Sequence, residues 1–238
     1  MMAFTKNNSQ YFRSIEKAYD LGAEFYDKRE WMVFWKKNEM PLILKHLGSH
    51  KFDKILEVGC GTGFYAIKLL NKCNFLYGID ISKNMLRTFL RRMPSKFKNK
   101  VKVKKESILK NSLPSNFFDL TISVRTFSSI KNIDKALSEV IRVTRAGGII
   151  LISDLHPKYQ IPYCVLKNPQ NKFKIKMPFY RHKIEMIIKK LRQACKILEF
   201  DEISIKNVKW IPPRGVSFDE ALHDLETPVF YVIKAKKL

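Results

Sequence analysis

No stretch of this 238-residue chain approaches the roughly 20 consecutive apolar residues that a membrane-crossing helix requires. Its first residues, Met1 to Arg13, are polar and lack the apolar centre of a secretory signal. The resulting expectation is a soluble, cytoplasmic protein without a membrane span. Cysteine is scarce: four residues, at 60, 73, 164 and 195, with no CxxC pair. That spacing argues against zinc and dithiol chemistry, and no metal site is expected. Neither an internal repeat nor a long low-complexity tract is present. Acidic residues are also in short supply, since 22 Asp and Glu face 45 Lys and Arg for a net charge of +23. Such a field attracts nucleic acid, anionic lipid or acidic substrates. Lysine, however, outnumbers arginine about three to one. A lysine-rich background produces that ratio too, whereas specific nucleic-acid readers favour the arginine fork.

What is present is a rhythm. Residues 11–47 carry apolar and aromatic side chains at three- and four-residue spacing and predict helix. Lys54-Ile-Leu-Glu-Val58 is a short apolar run that stops at glycines, as a buried strand entering a tight turn does. Helical spacing resumes over Phe64–Asn71. Phe75–Ile79 is a second strand ending at Asp80, and Ser82 caps the helix after it. Val101–Val103 and Phe118–Val124 are further strands. An amphipathic helix spans Asp134–Arg145, with Gly147-Gly148 predicted to end it. Ile149–Ser153 is another buried strand. Residues 156–181, with four prolines, predict an irregular insertion; His182–Cys195 predicts a helix. Strands are expected within Ile197–Val208 and over Pro228–Ala235. Strands alternating with helices imply a parallel sheet covered on both faces.

Glycines 59, 61 and 63 follow the first strand and open a helix. Without Cβ atoms they let the chain turn sharply and let a ligand lie against the backbone, near the unpaired N–H groups of the helix start. The spacing is G-x-G-x-G, not the G-x-G-x-x-G of dinucleotide folds, whose third glycine position is Phe64 here. Asp80 ends the second strand, where a carboxylate can accept hydrogen bonds from both hydroxyls of a ribose. Glu57 precedes the glycines. Its charge opposes a pyrophosphate and suits a ligand bearing amino and sulfonium cations.

These segments resemble the class I S-adenosylmethionine-dependent methyltransferases, in the broad group with ubiquinone and menaquinone biosynthesis enzymes. The resemblance is carried by Leu56-Glu-Val-Gly-Cys-Gly-Thr-Gly63 and Gly78-Ile-Asp-Ile-Ser-Lys-Asn-Met85. Phe118-Asp-Leu-Thr-Ile122 and Ala136–Val143 leading to Gly147-Gly148 complete it, over roughly residues 50–155. It implies an α/β, doubly wound, Rossmann-like fold: a seven-stranded, mostly parallel sheet with helices on both faces. A helical lid over residues 1–47 and a methyltransferase domain over 48–238 follow, with a substrate cap at 156–196. It implies S-adenosyl-L-methionine as cofactor, with Glu57, Gly59 and Gly61 at the methionine part, Asp80 on the ribose and Ile81 on the adenine. Cys60, Gly63 and Met85 belong to the same contact set. Relatives often place an Asp at the adenine amino group, where this chain has Glu106 and Ser107. Arg125 is placed near the methionine carboxylate or the substrate mouth, and Tyr26 is the lid contact.

The implied activity is in-line transfer of the methyl group to oxygen, nitrogen or carbon of a small-molecule acceptor. Should the acceptor need a base, His156 is best placed after the last parallel strand, with His182 second. Tyr159, Tyr163, Phe173, Phe179 and Tyr180 supply aromatic surface to the cap. An alternative partner is RNA, specifically tRNA, held by the lysine- and arginine-rich stretches Lys83–Lys105 and Lys158–Lys196. No Asp-Pro-Pro-Tyr, Asn-Pro-Pro-Tyr or Pro-Cys segment follows Phe118–Val124, so the signatures of base methyltransferases are missing.

Overall fold

The computed structural model describes residues 9–159, 164–168, 173–209 and 225–238. The predicted cap residues Pro162, Tyr163 and Pro169 lie outside them. In chain order the elements are β1 (Ser9–Tyr11), α1 (Ile15–Gly22), α2 (Glu30–Leu47), β2 (Phe52–Val58) and α3 (Ala66–Leu69). Next come β3 (Cys73–Asp80), α4 (Lys83–Arg92), β4 (Val101–Lys105), β5 (Phe118–Val124), α5 (Ile133–Val143) and β6 (Thr144–Leu155). The chain continues through β7 (Cys164–Lys167), β8 (Lys174–Met177), α6 (Ile184–Arg192), β9 (Cys195–Ser204) and β10 (Pro228–Lys237).

Seven strands form one sheet in the order β4-β3-β2-β5-β6-β10-β9. All neighbours are parallel except β10, which runs antiparallel to both β6 and β9. The order reverses between β2 and β5, which opens a crevice at the carboxyl ends of the strands, where such sheets bind ligands. Alternation along each strand divides the core. Ile55, Leu120, Leu151 and Val232 join the cluster under α2, α3 and α4, whereas Leu56, Phe118, Ile150 and Ile233 join that under α5 and α6. β2, β5, β6 and β10 thus bury both faces, the condition for a doubly wound sheet. β4 closes one edge with exposed Lys102, Lys104 and Lys105, charges that discourage further strand pairing.

Helix starts follow side-chain chemistry. Ser14, Ser82 and Asn132 each accept a backbone N–H three residues on, at Lys17, Met85 and Lys135. In α4, Met85, Leu86 and Phe89 are buried on one stripe and Arg87, Leu90 and Arg91 face outward.

Three elements depart from the sequence reading. The N-terminal region, read as helical over 11–47, is interrupted at residues 23–29, where a 3-10 turn at Tyr26–Lys28 separates α1 from α2. Gly147 and Gly148 do not end α5, which stops at Val143; they lie inside β6 at a register irregularity, Gly147 with φ +72°. The segment read as an irregular insertion contains β7 and β8, which pair with each other, and β8 pairs with β1 from the far end of the chain. Ala18, Phe25, Leu166, Ile175 and Met177 make a small core of their own where the two segments meet.

Candidate active site

A cavity of about 280 Å³ opens at the carboxyl ends of β2, β3 and β5, at the lower end of the range for small-molecule pockets. Of the residues singled out above, Gly59, Gly61, Asp80, Ile81, Met85, Glu106, Ser107, Arg125 and Tyr26 line it. Each glycine of the turn is required for a different reason. A Cβ on Gly59 would lie 2.2 Å from Thr126 Oγ1, and one on Gly63 2.3 Å from the Phe89 ring. A Cβ on Gly61 would meet nothing nearer than the Gly59 carbonyl at 4.0 Å, so it would project into open space. All three have positive φ, the region that favours glycine. Gly63 itself does not line the cavity, and neither does Cys60, whose buried thiol packs against Gly78 and is pushed well up by that burial.

Asp80 organises the turn. Its Oδ2 accepts the Gly61 N–H at 2.9 Å and its Oδ1 accepts the Ser82 N–H at 2.8 Å. Burial raises its pKa to about 6, against the pull of those N–H groups. Glu57, two residues before Gly59, is buried and does not line the cavity. Burial first, and Asp80 second, push its pKa to about 8; the Ala66 N–H and Arg125 pull the other way. One of its oxygens, Oε2, is buried without a hydrogen-bond partner. The same holds for Glu106 Oε2 in the cavity's wall, although Glu106 Oε1 is held by Lys104 and Ser112. A native fold leaves few such atoms unpaired. Two orphaned carboxylate oxygens, a carboxylate at a strand end and a glycine open to the cavity fit a nucleoside carrying N–H donors and a cationic centre.

The N-terminal segment closes over this cavity. Asp20 accepts the Ser82 hydroxyl at 2.6 Å and the Asn84 N–H at 3.0 Å, both at the start of α4. Asp27 accepts the Thr62 hydroxyl at 2.9 Å and pairs with Arg92. Ile15, Tyr19 and Tyr26 form the inner wall of this covering. Sequence reasoning named only Tyr26, because a lone aspartate on a helix carries no local sign of a partner 60 residues away.

Arg125 follows β5 with φ +52°, a left-handed conformation that non-glycine residues seldom adopt. Its side chain is only 11% exposed, with Nε 3.1 Å from Glu39 Oε2 and the guanidinium over the Trp35 and Tyr65 rings at 4.7 and 5.5 Å. Glu39, fully buried in α2, also accepts the Ser153 hydroxyl at 2.6 Å and the Tyr65 hydroxyl. This network was not legible in the sequence.

Neither predicted histidine reaches the cavity. His156 is buried with Nε2 2.6 Å from Glu202 and Nδ1 accepting the Lys158 N–H at 3.1 Å. Burial lowers its pKa, against the pull of Glu202. His182 directs Nε2 to the Ile130 carbonyl at 2.8 Å and stacks on Tyr180. The sequence placed both after β6, but the chain there turns them toward β9 and toward the loop before α5. Of the cap aromatics, Tyr159 is buried in the main core and Phe173 packs on the small one.

Comparison with known proteins agrees with this geometry. The family described as "Methyltransferase domain" matches residues 49–211. The uncharacterized methyltransferase YdaC of Bacillus subtilis is 34% identical over 132 residues, 55% of this chain and 65% of that protein. A demethylmenaquinone methyltransferase of Geobacillus stearothermophilus is 27% identical over 141 residues, 58% of each chain. The match therefore spans less than two thirds of each relative's own length. Among solved structures, the N-methyltransferase NodS of Bradyrhizobium japonicum, in complex with S-adenosyl-L-homocysteine, superposes with a TM-score of 0.62 at 16% identity, covering 92% of this chain and 98% of that one. The chain belongs to the methyltransferase-domain family, and its fold is that of the class I S-adenosylmethionine-dependent methyltransferases.

Proposed function

We propose that this protein transfers a methyl group from S-adenosyl-L-methionine to a small-molecule acceptor. The observation that carries the reading is the G-x-G-x-G turn tied by Asp80 at the mouth of a cavity lined by Glu106, whose Oε2 has no hydrogen-bond partner. The bound cofactor supplies a methyl group already activated by its sulfonium. The protein's own residues bind, orient and exclude water.

In this reading Asp80 accepts the ribose hydroxyls, and Gly59 and Gly61 let the methionine part lie against the backbone. Cys60 and Gly63 act indirectly, by shaping the turn. Ile81 and Met85 flank the adenine, and Glu106 and Ser107 meet its amino group. Glu57 compensates the cofactor's positive charge. Tyr26, with Tyr19, shields the reacting atoms from solvent. The relative that acts on demethylmenaquinone supports an acceptor of small-molecule size.

Calorimetric titration with S-adenosylhomocysteine tests the reading directly. The wild-type protein is expected to bind it, and Gly61→Val is expected to abolish binding while the thermal unfolding transition is retained. A branched side chain there fills the open space beside the backbone. Equal affinity in the two proteins would remove the site from this cavity.

A further inference from the structure

The cavity has an end that the cofactor contacts above do not use, and the inference made from it rests on the proposed methyl transfer. Neighbouring strands lie about 4.8 Å apart. Arg125, at the end of β5, is two strands across from Asp80 at the end of β3, so it sits roughly 10 Å along the crevice from the ribose carboxylate. Its guanidinium is gripped on one edge only. Nε faces Glu39, Nη2 reaches the Tyr65 hydroxyl at a long 3.4 Å, and Nη1 makes no hydrogen bond with any described residue. A left-handed backbone and a stack against two aromatic rings hold this fork in place. Conformations of that kind persist where the surroundings over-determine them, and they cluster at binding sites.

The rest of this end is equally informative. Ser129, Ile130 and Lys131, in the segment that follows Arg125, also line the cavity. No histidine does, and the cavity's two carboxylates, Asp80 and Glu106, belong to the other end. The segment after β5 therefore brings two cations to the cavity and, among the described lining residues, no carboxylate or imidazole that could take a proton. An amine, phenol or activated carbon would need one removed. A carboxylic acid, with a pKa near 4, arrives already ionised. Its planar pair of oxygens also matches the arginine fork.

We propose that the acceptor is a carboxylate held by Arg125, and that the product is its methyl ester. One carboxylate oxygen forms the new O–C bond as the carbon–sulfur bond breaks. The bonding pair stays on sulfur, and no proton is transferred.

The test is a competition of shapes. The protein saturated with S-adenosylhomocysteine is titrated with benzoate and hexanoate, and in parallel with benzamide and hexanamide. At least one acid is expected to bind tenfold or more tighter than its amide. Arg125→Gln should remove that preference while S-adenosylhomocysteine affinity stays within about threefold. Should Arg125→Gln fail to fold because Glu39 is left buried alone, Arg125→Lys keeps the charge but not the fork, and the preference should fall about fivefold. Acids and amides binding alike, none of the four binding, or a preference unchanged in both variants would overturn the proposal. So would loss of S-adenosylhomocysteine affinity in the variant with the acid preference intact, which would assign Arg125 to the cofactor. A wild-type protein that does not bind S-adenosylhomocysteine at all would instead sink the methyl-transfer reading, and this inference with it.

Discussion

Asp80 and Glu57 are two carboxylates in one site whose surroundings set them apart. With pKa values near 6 and 8 in the free protein, Asp80 is mostly ionised at pH 7 and Glu57 mostly protonated. A raised folded-state pKa means that the folded protein holds a proton the unfolded chain has released, so stability falls as pH rises through it. The free protein should therefore lose thermal stability as pH rises from about 4.5 to about 8, the span between the ordinary and the raised pKa of Glu57, and Glu57→Gln should flatten that loss. A cationic ligand reverses the preference and expels the proton. Titration with S-adenosyl-L-methionine at pH 7, in buffers of different ionisation enthalpy, should register release of roughly one proton per ligand, and affinity should rise from pH 6 to 7.5. Proton uptake would contradict the role given to Glu57. For Asp80 the expected loss in Asp80→Asn is about 1.5–3 kcal/mol of ligand affinity, the scale of hydrogen bonds to a charged group. Calorimetry measures it, and an unchanged affinity would free the ribose from this residue. The glycines and Asp80 were legible in the sequence because a strand, a turn and a helix follow within a few residues. Arg125 was placed near the methionine carboxylate or the substrate mouth, but its grip by Glu39, Trp35 and Tyr65 was not legible. Glu39 stands 86 residues before it on a helix that sequence periodicity presents only as apolar.

At the scale of elements, the covering helix α1 is tied to the start of α4 through Asp20. Asp20 satisfies the Ser82 hydroxyl and the Asn84 N–H at the helix start, where unpaired N–H groups and the helix dipole favour an anion. Asp20→Ala should cost about 1–3 kcal/mol of unfolding free energy. It should also speed proteolytic cleavage within residues 14–29 and weaken S-adenosylhomocysteine binding. Urea denaturation and timed proteolysis check these effects, and a variant with wild-type cleavage would show that α1 is held by packing alone. The sequence pattern located nearly every strand of the large sheet, since buried parallel strands are short apolar runs between breakers. It missed β1, β7 and β8. These are three or four residues long, and two of them pair with each other while the third comes from the other end of the chain. Pairing across such a separation leaves no period in either segment.

Over the whole molecule, the charge of +23 is unevenly spread. Ten Lys and Arg and no acid fall within Lys83–Lys105, which runs along α4 and the edge strand β4. Glu16 and Asp27 from the N-terminal segment pair with two of them. A small-molecule acceptor makes a definite prediction about this surface. Methyl transfer, once an acceptor is in hand, should change less than about threefold between 50 and 200 mM salt. A phosphate-tracking RNA substrate making several contacts would lose orders of magnitude over that range. Rate measured against salt separates the two. No helix among the described residues is long and apolar enough to cross a membrane.

By itself the sequence determined the alternation of strands and helices, the glycine turn and the carboxylate after the second strand. All of these are written in spacings of two, three or four residues along one segment. Tertiary structure alone decided who shares the cavity: the N-terminal aspartates that tie down the covering helix, the arginine clamped by a distant glutamate, and the departure of both histidines to other partners. Those outcomes depend on which segments the sheet order brings side by side, and a side chain carries no local mark of a neighbour that only folding supplies.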